Sequence, residues 1–422
     1  MLLARNGGKK IKKGIIALFT SHFAILFSIS LIFTVLPISL LTYENTSNFI
    51  VGLNHAVPYF SQLTTIFLFG SILDKGKDNW KRYQLLIFIG YSAITIQYVL
   101  FYLMNIHAPN AVLFLVIKLV CNLFGVAHVP VNRKFVSIIS RSTKQGQSLG
   151  FLFIIETGSF AVGTFAGGFL FDQYGIGTVF LIASISSIFG ISFLLVTRPF
   201  RIIKNINIVE EEIDKVTNQS KSENHAKSNP ALGLKSILIF LVILNISLFM
   251  FYPFNSPYMV SIGANATQIG LSLGISCIIG MFVYVWMGKA IDKKGSAIFA
   301  LFYGSVGYMI VYIIYFFSSN ILLLLIAWSM PFFPYFLGAN HVITQVTPIK
   351  YRGRGFSLSS LFQLIGLCSG AVLGAILSIF LTMKDLILLG IIGFILTSVY
   401  LTIAIILQKR KKNFHQGAVQ EY

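Results

Sequence analysis

The chain has 422 residues, 56% of them hydrophobic and only 11% charged, with a mean hydropathy of +0.81. Soluble domains carry roughly a quarter charged residues, and the apolar residues here come in runs of about 20, the length that crosses ~30 Å of hydrocarbon, so a soluble globular protein is excluded. The net charge of +19 does not mark a nucleic-acid binder. All Lys and Arg except Lys118 and Lys384 lie in segments that fall on one side if successive runs alternate direction. That is positive-inside asymmetry, and it predicts cytoplasmic termini at both ends and no nucleic-acid partner.

In chain order, a basic tail (residues 1–13) precedes run 1, which extends to about Leu41 and holds His22 and Pro37. That run is too long for a cleaved signal segment, so it reads as a retained helix. Run 2 (about 49–73) holds His55 and Pro58, and a charged hinge, Gly70 to Arg82, follows it. Run 3 covers about 83–104 and run 4 about 111–131, with Lys118 inside. Run 5 (about 147–171) carries Glu156 and a glycine series, Asp172 to Gly175 makes a short outer turn, and run 6 ends near Thr197. Residues 198–234 are too polar to span lipid and read as a linker. Six more runs follow, at about 235–260, 267–288, 297–317, 321–345, 355–381 and 385–408, before a basic tail at 409–422. The expectation is an all-α polytopic membrane protein: twelve transmembrane helices in two six-helix bundles, 14–197 and 235–408, joined by the linker.

The two halves echo each other. Asp74 and Asp292 sit in corresponding hinges 218 residues apart, while Gly163 and Gly167 precede Gly370 and Gly374 by 207 residues. Such internal repetition is typical of transporters. Cys121, Cys277 and Cys368 lie in separate runs and suggest neither disulfides nor a zinc site. No Walker loop, nucleophile elbow or HExxH stretch occurs, so the sequence predicts no enzyme, metal or cofactor.

The hinge carries a more specific signal. Gly70, Asp74 and Lys75 resemble the gate motif of the major facilitator superfamily, although Gly76 comes one residue early and Asp78 intrudes. Gly288, Asp292, Lys293 and Gly295 form a second copy with better spacing but no basic pair. The resemblance covers essentially the whole chain and implies two bundles rocking around a midplane cavity, with the hinges as gates. Ser159 to Gly168 is similar to that family's antiporter motif: Gly163, Gly167 and Gly168 match, while Thr164 replaces proline and Ser159 replaces the first glycine. The motif implies export. On physical grounds alone, small residues at this spacing also serve close helix packing.

Two intramembrane charges are the candidate coupling residues. Lys118 lies roughly 10 Å from the outer end of its run, where a charge is costly and faces a cavity or a partner; a Lys reaching back to the interface is the bland alternative. It occupies the place of an intramembrane Arg in the resembled family. Asn122, Gly125, Val129 and Asn132 continue its face. Glu156 is the one acid well inside any run and is the expected coupling site: paired with Lys118, each would keep the other charged, and unpaired it could carry a proton. Asn245, Tyr252 and Asn255 in run 7 join Asn122 as candidate cavity residues. The scattered histidines read as structural.

Together these features predict a bacterial plasma-membrane secondary transporter, monomeric as the family implies. Its partners are protons, lipid and a small organic substrate that it exports by alternating access. An importer on the same fold and a non-transporting membrane sensor remain open alternatives.

Overall fold

The computed structural model describes residues 2–43, 46–74, 80–107, 109–132, 145–201, 232–294, 297–333, 335–347 and 352–420. Lys75, Gly295 and most of the linker lie outside them. Among the described residues there are helices and turns and no strand. The helices are α1 (Leu2–Phe33), α2 (Leu36–Leu40), α3 (Asn48–Asp74), α4 (Trp80–His107), α5 (Ala111–Gly125), α6 (Gln145–Thr197) and α7 (Leu234–Phe249). They continue as α8 (Asn255–Ser261), α9 (Ala266–Lys294), α10 (Ala297–Phe317), α11 (Ile321–Trp328), α12 (Tyr335–Val346), α13 (Arg352–Leu377) and α14 (Met383–Gln420). Nine stretches among the described residues are long and apolar enough to cross a membrane, and one of them, Leu152–Thr197, is 46 residues long.

That long stretch turns at Gly175, within the turn expected from sequence. Its φ of 77° and ψ of 176° belong to a region that essentially only glycine occupies. Four other runs are broken where hydropathy shows continuity. Run 1 breaks between α1 and α2, with Pro37 in the first turn of α2. Run 4 turns after α5, ahead of Pro130, and helix resumes at 128–132. Run 7 passes through the short 3-10 turn Tyr252–Phe254, which contains Pro253, and run 10 is interrupted between α11 and α12, where Pro331 sits. Proline lacks the N–H that the helix ladder needs and its ring clashes with the preceding turn. Pro58, by contrast, stays inside α3.

The described chain divides into two compact units. One gathers Met1–Asn45, Ser61–Asn224 and Asn265–Gly274; the other gathers Thr46–Phe60, His225–Ala264 and Ile275–Tyr422.

In the first unit, α6 packs lengthwise on α1. The Ser21 hydroxyl donates to the Gly190 carbonyl at 2.6 Å and Ser186 donates to the Ala24 carbonyl at 2.9 Å. Gly163 faces Ser30 and the Phe27 carbonyl, and Gly167 lies on the Leu31 carbonyl, so closely that a Cβ at either position would overlap them. Gly168, on another side of α6, approaches the Ala266 carbonyl in the same way. Small residues here let backbones approach, and van der Waals packing is what associates helices in lipid. The first turn of α9 is fully capped. Asn265 accepts from the Gln268 N–H while Gln268 accepts from the Asn265 N–H, a reciprocal capping box. The Asp172 carboxylate takes the next two donors, the Ala266 N–H at 3.2 Å and the Thr267 N–H at 2.7 Å. The anion also complements the positive end of the helix.

The second unit is built on α7 against α13. Gly366 packs on Val242 and Asn245, Gly370 on Ile246 and Phe249, and Gly374 on the Met250 carbonyl. An aromatic core surrounds them, with Tyr312, Tyr315, Tyr335, Phe240 and Phe251 fully buried. The Tyr335 hydroxyl donates to Asn245 Oδ1 at 3.0 Å.

Candidate functional site

The first unit holds a polar cluster within its apolar interior. His22 comes from α1, Tyr91 from α4, His128 and Asn132 from the stretch after α5, and Glu156 from α6. His22 is 2% exposed and Asn132 also 2%. The His22 Nδ1 lies 3.0 Å from Asn132 Nδ2 and 3.1 Å from the Tyr91 hydroxyl. Its Nε2 lies 3.4 Å from Glu156 Oε1. With the Asn132 amide nitrogen donating, the assigned tautomer accepts at Nδ1 and carries its proton on Nε2, toward the carboxylate. His128 covers the cluster, its ring 5.8 Å from that of His22 and 5.6 Å from that of Tyr91. Its own Nδ1 is anchored on the Gly125 carbonyl at 2.6 Å. Gly90 makes room for this, packed against the His128 backbone and the Gly125 carbonyl.

Glu156 is the accessible member, its side chain 39% exposed. The exposed apolar side chains of this part of α6 are Ile154, Val162, Phe165 and Phe169. At ~100° per residue, Glu156 projects roughly 160° from the middle of that stripe. The carboxylate therefore opens on the side of the helix away from the lipid-type surface. Lys118 is arranged alike. Val112, Leu113, Val116, Val120 and Phe124 are the exposed stripe of α5, and Lys118 points roughly 170° away from its middle. Asn122, one turn on, donates to Gln97 Oε1 at 2.9 Å and to the Lys118 carbonyl at 2.7 Å.

In the second unit, Asn245 is fully buried and engaged at both ends of its amide: it donates to the Leu241 carbonyl and accepts from Tyr335. Tyr252 stands in an aromatic group, its ring centroid 4.7 Å from Phe249, 5.3 Å from Trp328 and 6.1 Å from His55. Asn255 opens α8 and is buried. Of the hinge residues, Gly70 lies within α3 and Asp74 ends it. Arg82, at the start of α4, donates to the Ile72 carbonyl at 3.2 Å and so closes the last turn of α3. Gly288, Asp292 and Lys293 lie in the last turns of α9, and Gly288 faces open space. Among the described residues no group of three His, Cys, Asp or Glu converges as a metal site would.

Sequence reasoning took His22 for a structural histidine and did not single out Tyr91. His22 lies 134 positions from Glu156. The one available signal was that both are polar residues inside apolar runs, which alone names no partner.

Helices in two units, small residues at the crossings and a partly exposed acid beside a buried histidine describe a polytopic helical membrane protein. The sequence model of the Major Facilitator Superfamily matches residues 18–371, and the chain belongs to that superfamily. A transporter of the same type from Methanocaldococcus jannaschii, itself uncharacterised, is 22% identical over 183 residues, 43% of this chain and 46% of that protein. The chain thus spans about half the length of the curated relative it matches. Among solved structures, a bacterial homologue of the human lysosomal transporter Spinster aligns with a TM-score of 0.68 at 12% identity, covering 94% of this chain and 97% of that one. A POT family transporter in complex with a thioalcohol-conjugated peptide aligns with a TM-score of 0.68 at 13% identity, covering 94% and 99%. A bacterial homologue of the iron transporter ferroportin gives 0.61 at 14%, covering 93% and 98%. These likenesses establish the all-helical transporter fold.

Proposed function

We propose that this transporter is coupled to protons and exports a small organic molecule by alternating access, with Glu156 as the coupling acid. The observation that carries the reading is the His22–Glu156 contact at 3.4 Å, one partner buried and the other accessible on the side of α6 away from its apolar stripe. The Glu156 carboxylate is accessible enough to exchange a proton and partly withdrawn from solvent, and protonation removes one negative charge there. A change of net charge in such a site alters the relative energy of conformations that solvate it differently, and that is how a bound proton biases two states. Lys118 is the second charge of the system, on a neighbouring helix and likewise turned from the apolar stripe.

Outward direction is supported by the α6 series Gly163, Gly167 and Gly168, in which Thr164 stands for the proline of the antiporter pattern. Asn122 in the first unit, and Tyr252 and Asn255 in the second, are proposed as polar contacts for substrate, whereas Asn245, expected from sequence to join them, is fully buried and bonded at both ends of its amide. The hinges at Asp74 and Asp292 act as gates. The setting is a bacterial plasma membrane, with a monomer whose two termini are cytoplasmic.

The test is solute and dye accumulation in an efflux-deficient bacterium expressing the wild type or Glu156→Gln, with and without an uncoupler. Proton-driven export predicts lower intracellular solute in wild type alone, and loss of that difference with uncoupler. Higher intracellular solute in wild type would reverse the direction. Retention of full uncoupler-sensitive transport by Glu156→Gln would remove the coupling role.

A further inference from the structure

Asp172 ties together two segments far apart in sequence. It stands where the first arm of α6 nears its turn, and its carboxylate accepts three hydrogen bonds from the start of α9. The donors are the Ala266 N–H at 3.2 Å, the Thr267 N–H at 2.7 Å and the Thr267 hydroxyl at 2.6 Å. A seam of small residues runs on from it along the same two helices. Gly168 lies against the Ala266 carbonyl, Gly270 against the Thr164 carbonyl and Gly274 against the Ala161 carbonyl, with no room for a Cβ at any of the three glycines. Ala161, Thr164, Gly168 and Asp172 recur every three or four residues and so share one face of α6. Gly163 and Gly167, on another face, hold α1. From Ile275 onward α9 belongs to the second unit, so only its opening turns are gathered into the first.

Three features set this contact apart from permanent packing. Glycine and alanine bury little apolar area, so the hydrophobic cost of parting the seam is small. The start of α9 has a cap of its own, the Asn265–Gln268 box, which keeps the helix formed without Asp172. Asp172 is also exposed, so water can take over its bonds and those of the freed N–H groups. The carboxylate is thus the directional, charge-assisted part of the contact, and it acts only while α6 and α9 are together. We infer that Asp172 is a positioning residue for transport: its three bonds latch α6 to the end of α9 remote from the Asp292 hinge, and they release when that seam opens. This rests on the alternating-access part of the proposed function and requires neither proton coupling nor a direction of transport.

The test is the rate at which N-ethylmaleimide reacts with single cysteines in the full chain in lipid vesicles, with Cys121, Cys277 and Cys368 replaced by serine. Thr164→Cys reports the seam, where Thr164 is fully buried. Ser187→Cys, at a fully buried position on the second arm of α6, reports general loosening. Loss of a cap shifts a helix-end equilibrium by about fivefold. Asp172→Ala is therefore expected to speed labelling of Thr164→Cys by about that factor and to leave Ser187→Cys unchanged. Asp172→Asn, which keeps an acceptor without the charge, and Thr267→Val, which removes one donor, are expected to fall between. These milder variants carry the test if Asp172→Ala fails to fold. An unchanged rate at Thr164→Cys, or an equal rise at Ser187→Cys, overturns the latch. Faster labelling at Thr164→Cys alone, with no solute moved by the wild type, would keep the latch and remove the transport reading. Uncoupler-sensitive transport with unchanged labelling would remove the latch alone.

Discussion

His22 shows what one buried side chain must balance. It meets an amide and a hydroxyl on one nitrogen and a carboxylate on the other. His22→Leu would remove all three contacts, the one to the Glu156 carboxylate included. A hydrogen bond to a charged group contributes about 1.5–3 kcal/mol, so His22→Leu is expected to lower stability by about that amount in thermal unfolding in detergent. Glu156→Gln keeps an acceptor for the Nε2 proton and is expected to cost under ~1 kcal/mol, a difference that separates loss of fold from loss of coupling. The Tyr335–Asn245 bond makes a second case. Tyr335→Phe leaves the buried Asn245 Oδ1 unpaired, and Asn245→Leu leaves the buried Tyr335 hydroxyl unpaired, so each should cost about 1–3 kcal/mol. If Tyr335→Phe costs nothing in thermal unfolding, this hydrogen bond does not stabilise the fold.

At the scale of elements, close approach governs α6. The Gly167 backbone lies against the Leu31 carbonyl with no room for a side chain. Overpacking a tight contact costs about 1–3 kcal/mol, so Gly167→Val is expected to lower the unfolding temperature measurably. Gly175→Ala tests the turn instead. It forces a Cβ into a glycine-only backbone region, at about 1–3 kcal/mol, with nothing nearby for that Cβ to strike. The cap of α9 is a third element-level device. Asp172→Ala should cost about 0.5–2 kcal/mol, as lost caps do, and Asp172→Asn less, because the amide oxygen still accepts. Hydrogen exchange at Ala266 and Thr267 would report it directly.

At the scale of the whole molecule, the proline breaks fall in runs 1, 4, 7 and 10. Every third run is interrupted, the period of three-helix repeats nested within each half of such transporters. The proposed topology makes a separate prediction. Cysteines introduced at Asn413 and at Gln173, in a background without native cysteine, should react with an impermeant maleimide from opposite faces of the membrane. Labelling of both from the same face would overturn the two-sided assignment.

Much of this was legible in order along the chain. Runs of apolar residues, the one-sided Lys and Arg, the turn at Gly175 and the spacing of Gly163, Gly167 and Gly168 are local or periodic signals, and water, lipid and membrane potential act on them segment by segment. Hydropathy did not register the interruptions at Pro37, Pro130, Pro253 and Pro331, because averaging over a window ignores a missing N–H. The tertiary structure alone brought His22 to Glu156 and turned Asn132 toward the same ring. It also set Asp172 on the first turn of a helix 94 residues away and grouped Thr46–Phe60 and Asn265–Gly274 with partners distant in sequence. Each of those depends on which helix faces touch, and a helix of average hydropathy presents several faces that could. The composition therefore determined that the chain spans a membrane as helices, while side-chain packing between distant segments decided which polar groups share a site.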